Sequence, residues 1–97
     1  MINYIPSGFS NAKPRKDILA EMAKDGFIIS DRAFREGVKR AVRKKEAIVC
    51  TSSNGGYFIP ESQEDIDINS REINSRISKL IADREAVKSM ALERGIV

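Results

Sequence analysis

The sequence predicts an α+β fold, mainly helical, in which one small domain is followed by a long helix. Three observations predict it. In the first half, two stretches carry apolar residues at helical spacing and stand only a few residues apart. Two β-forming runs then flank an Asn-Gly turn. From residue 61 the pattern is helical again, with no Gly or Pro before Gly95.

The first dozen residues hold the turn formers Pro6, Gly8, Ser10 and Asn11, with Ile2, Tyr4, Ile5 and Phe9 between them. Those apolar residues are expected to tie the segment onto the domain, with a short helical turn. A helix is expected from Pro14 to Asp25. Proline suits the first helical position, Ile18, Leu19, Met22 and Ala23 form one stripe, and Gly26 ends the helix. "FIIS" reads as a short apolar turn. Ser30 caps the next helix, which runs to Lys45, and Asp31 in its first turn suits the helix dipole. Phe34, Val38, Ala41 and Val42 point to the core. Arg32, Glu36, Lys39, Arg40 and Arg43 fall on the opposite side, with Arg35 on the flank.

"EAIVCTSSNGGYFIP" predicts a β-hairpin. Ala47 to Thr51 form one arm and Tyr57, Phe58 and Ile59 the other. Asn54-Gly55 forms the turn, because the favoured two-residue turn needs positive φ at both central residues. Ser62, with Asp65 three residues on, resembles a capping box that opens the last helix. In that helix Ile66, Ile73, Leu80 and Val87 recur every seven residues. If they are d positions, the a positions are Ser70, Ile77, Arg84 and Ala91. The chain therefore divides at residue 60 into a domain over 1–60 and an amphipathic helix over 61–97.

Composition narrows the function. The chain has 97 residues and is 41% hydrophobic, enough for one small core. No apolar run approaches the roughly 20 residues that span a bilayer, and the N-terminus lacks the pattern of a secretory signal. Cys50 is the single cysteine, so a reducing, cytoplasmic setting is expected and the thiol reads as a small buried hydrophobe. Histidine is absent, which removes the commonest base and metal ligand. "DIDINSREINSR" begins like a calcium loop, but Ser70 stands where glycine belongs and Arg76 where a bidentate glutamate belongs. Asp17, Glu21 and Asp25 share one helix face without convergent partners. The reading is a protein with no catalytic residues, no metal and no cofactor.

The charge is uneven. Lys13 to Lys45 hold 11 Lys and Arg against 5 Asp and Glu, whereas Glu46 to Val97 hold 6 against 9. Seven of those cations lie in "SDRAFREGVKRAVRKK". A helix, a short turn, a basic amphipathic helix and a glycine-tipped hairpin follow one another in the order of a winged helix-turn-helix. In that architecture the second helix enters the major groove and the two-stranded wing meets the adjacent backbone.

The stretches "IPSGFSNAKPRKDIL", "ISDRAFREGVKRAVRKKEAIVCTSS" and "GGYFIPES" resemble the small winged-helix proteins of phages and prophages of Gram-positive bacteria. "AIVCTSSNGGYFIP" after a capped basic helix also resembles the DNA-binding domain of biotin-repressor-like regulators. The resemblance implies double-stranded DNA as partner, with Arg32, Arg35, Lys39 and Arg40 as readers, in phage transcription control or as a replication accessory. Arg43 lies on the same basic face. Arg15 and Lys16, at the start of the preceding helix, are candidates for phosphate, as are Ser53 and Asn54 at the wing tip, which carries no Lys or Arg. Ser52 and these two read equally well as residues that satisfy the turn. The last helix has two destinations: pairing with its twin through Ile66, Ile73, Ile77, Leu80 and Val87, or folding back on the domain. A second function class stays open, a winged-helix protein-interaction module acting through that helix as a phage-borne adaptor or inhibitor of a host complex.

Overall fold

The computed structural model describes residues 1–52 and 55–96. It is α+β and mainly helical. Two 3-10 turns, Ile2–Tyr4 and Phe9–Asn11, lead into strand β1 (Lys13–Pro14). Helices α1 (Arg15–Lys24) and α2 (Asp31–Arg43) follow, then strands β2 (Cys50–Thr51) and β3 (Gly56–Phe58), then helix α3 (Gln63–Glu93). The strands form an antiparallel sheet in the order β1-β3-β2, with Lys13 opposite Tyr57 and Cys50 opposite Phe58.

The helices start and stop for local reasons. The Ser30 hydroxyl accepts from the Ala33 N–H at 3.0 Å, and the Ser62 hydroxyl from the Asp65 N–H at 3.2 Å. Asp65 does not close the box on Ser62. Its carboxylate instead accepts from the Glu61 N–H at 2.9 Å. α1 ends in a Schellman motif: the Phe27 N–H donates to the Met22 carbonyl, the Gly26 N–H to that of Ala23, and Gly26 takes φ +88°. α2 ends the same way, but the left-handed position is Lys45, at φ +59°. The helix expected to reach Lys45 therefore stops at Arg43. Pro14 lies one place outside α1, as its N-cap.

The core is where α1, α2 and the sheet meet. Ile18, Met22, Phe34, Val38 and Tyr57 are buried there with Ile5 from the N-terminal segment. Phe34 meets Tyr57 edge to face, with ring centroids 5.4 Å apart. The apolar residues of the first segment do tie it down: Ile5 is buried, and the Tyr4 hydroxyl donates to Asp25 at 2.7 Å. Cys50 is buried, as its sequence context implied.

The hairpin differs from expectation in three ways: its second arm is Gly56–Phe58, not Tyr57 to Ile59, and two further differences are larger. A third strand, β1, joins it. And its first arm is only Cys50–Thr51, not Ala47 to Thr51. Ser52 donates to the Gly56 carbonyl, so alternate residues from Gly56 onward face β2. The second of these after Gly56 is Pro60, which has no N–H, so pairing ends there. The turn residues Ser53 and Asn54 lie outside the described residues.

Candidate nucleic-acid interface

Arg35, Lys39 and Arg43 stand at i, i+4 and i+8 along one edge of α2, which faces the sheet and α3. Together with Arg15 of α1 and Arg76 of α3 they line a groove of about 380 Å³, floored by Val38, Val42 and Tyr57 among others. Five cations from three helices are thus brought to one place. The apolar face of α2 is taken by the core through Phe34 and Val38, and that fixes which cations turn to the groove.

Internal pairs divide these cations into held and open ones. Asp31 accepts from Nε of Arg15 and forms an ion pair with Arg35, whose Nε lies 3.2 Å away. Asp31 first, and Tyr57 after it, push the Arg15 pKa upward. Arg76 is anchored on Glu72 and on the Thr51 hydroxyl, each at 3.3 Å. Lys39 and Arg43 have no ion-pair partner among the described residues. A guanidinium already held by a carboxylate is positioned but partly neutralised, whereas an open one offers its whole charge. Lys39 and Arg43 are accordingly the groove cations whose charge no described ion pair offsets.

The other expected contacts fall elsewhere. Arg32 is 81% exposed and spans one helical turn to Glu36 at 2.9 Å, outside the groove. Arg40 lies beyond the ridge of Lys39 and Arg43, in a shallower depression of about 430 Å³ that Glu36 and Lys44 share. Lys16 is exposed and does not line the main groove. Ser52 is buried and its hydroxyl accepts from the Gly56 N–H at 3.1 Å, which fits the turn-satisfying reading. Ser53 and Asn54, named as wing-tip phosphate donors, lie outside the described residues.

Arg76 is the groove residue that sequence reasoning missed. It appeared only as a wrong residue in a calcium loop. The one available signal was its spacing from Glu72, an i, i+4 pair on α3. Nothing local told which way that pair faces.

No family model, curated protein or solved structure matches this chain. No helix among the described residues is long and apolar enough to cross a membrane.

Proposed function

We propose that this chain is a non-enzymatic DNA-binding protein of the winged helix-turn-helix kind, with α2 laid in the major groove and the β2–β3 hairpin beside a backbone strand. The observation that carries the reading is the convergence of Arg15, Arg35, Lys39, Arg43 and Arg76 on one groove beside the hairpin, with Lys39 and Arg43 open. Cations spaced along one edge of a helix can neutralise several phosphates of a duplex at once. The absence of histidine and the burial of the one cysteine support a non-catalytic role. The resemblance to phage and prophage winged-helix proteins suggests transcription control or replication support.

Fluorescence anisotropy with a mixed duplex across a salt series tests this. Micromolar binding that weakens steeply with salt is expected. Lys39→Ala and Arg43→Ala should each reduce the salt slope by about one unit, and Arg32→Ala by less. A folded sample that binds no duplex at low salt rejects the reading. That outcome favours the second one, a protein-interaction module, which draws on the apolar surface left open at Ile28, 83% exposed, and along α3.

A further inference from the structure

α3 has 31 residues, so it is about 46 Å long, and none of its residues is buried. It meets the domain through Asp65, Asn69, Glu72 and Arg76. Asp65 takes the N–H of Glu61, the Asn69 side chain that of Thr51 at 3.0 Å, and Glu72 the Thr51 hydroxyl at 3.2 Å. At about 100° per residue, the stripe of Ile66, Ile73, Ile77, Leu80, Arg84 and Ala91 lies roughly a quarter-turn round from that contact face. The domain therefore leaves the stripe open. Leu80 is 67% exposed and Ile77 48%. A helix that has folded back on its own domain would have covered it.

We infer that the stripe is covered by a second copy of this chain, with the two α3 helices antiparallel and Ile77 of each facing the partner's Leu80. Charges on and beside the stripe decide the orientation. In this register Asp67 faces the partner's Lys88, twice by symmetry. The layers place Arg84 across from the partner's Ile73, so its stem covers the isoleucine while its head reaches water. A parallel pair also has one favourable flanking contact, Asp83 with the partner's Lys88. But it stacks Arg84 on the partner's Arg84 in the seam, where like charges oppose each other. The antiparallel pair has a further consequence at its ends. It brings the partner's Ala91 to Ile66, at the mouth of an apolar groove of about 580 Å³ lined by Val42, Ala47, Ile48 and Cys50. Ile48 there is 55% exposed, and the partner's helix end covers it in this orientation.

The full chain tests this without reference to DNA. Sedimentation equilibrium should give twice the 10.8 kDa of one chain; a monomer at tens of micromolar overturns the proposal. Lys88→Asp should weaken the dimer at least tenfold, and adding Asp67→Lys should restore it. Rescue by Asp83→Lys in place of Asp67→Lys would establish the parallel pair and overturn the antiparallel one. A Lys88→Asp variant that dimerises unchanged overturns the register. All three positions are exposed on α3, and circular dichroism checks that each variant keeps its helix. Spin labels at Ala91→Cys in a Cys50→Ala background give an independent reading. They should lie about 40 Å apart in the antiparallel dimer, because 25 helical rises separate them, and about 10 Å apart in a parallel one.

Discussion

Tyr4 and Asp25 join the N-terminal segment to the end of α1 through one hydrogen bond of 2.7 Å. That bond, more than burial, raises the Tyr4 pKa above the ordinary phenol value. The sign follows directly. The folded value is the higher one, so the bond's contribution is complete below about pH 10 and is lost as pH climbs through the folded value. Asp25→Asn removes the charge but keeps an acceptor, and should move Tyr4 ionisation back toward the ordinary value. An absorbance titration at 295 nm reads this, and an unmoved Tyr4 curve would show that Asp25 is not the cause. Cys50 obeys a related rule. Burial, and after it Asp65, push its thiol pKa up and so disfavour the thiolate, in keeping with a packed side chain.

At the scale of elements, the end of α2 carries an avoidable cost. Lys45 occupies the left-handed position that Gly26 takes after α1 and Gly95 after α3. A residue with a Cβ is strained there by about 1 kcal/mol. Lys45→Gly should therefore raise stability by about that much, seen as a higher urea midpoint with unchanged slope. Lys45 lies at the apolar groove, outside the cationic one, so duplex affinity should change little. An unchanged or lower midpoint would mean that contacts of the lysine stem outweigh the strain. The case also shows which features the sequence carries openly. Ser30, Ser62, Gly26 and Gly95 announce helix ends because capping chemistry is local, and Phe34 and Val38 announce the core because spacing is local. Lys45 gives no signal, since lysine has no preference for the left-handed region. β1 gives none either, because two residues including a proline become a strand only through Tyr57 and Gly56 across from them. The groove was half legible for the same reason. Arg35, Lys39 and Arg43 follow from helical spacing, and so does the i, i+4 pairing of Arg32 with Glu36, whereas the meeting of the first three with Arg15 and Arg76 is a tertiary fact.

The whole molecule measures 57 Å by 31 Å by 25 Å, and the excess length is α3 running past the domain. A single helix exposed all round in water is marginal, because nothing offsets the entropy of ordering it. Beyond Arg76, α3 makes no hydrogen bond or ion pair with the domain among the described residues, and in the pairing inferred above a second copy supplies the missing contacts. This yields a test of the molecule as a whole. The full chain should melt at a temperature that rises with its concentration, because folding and pairing are then linked. A chain ended after Ser78 keeps Asn69, Glu72 and Arg76 on Thr51, so it should still fold and still bind duplex with the salt dependence of Lys39 and Arg43. It should melt independently of concentration and sediment as a monomer. It should also lose whatever affinity comes from engaging two sites at once, which can reach 10²-fold or more when two modules are linked. Retained two-site affinity in the shortened chain would place the pairing surface in the domain, at the exposed Phe27–Ile29 turn, and remove α3 from the assembly.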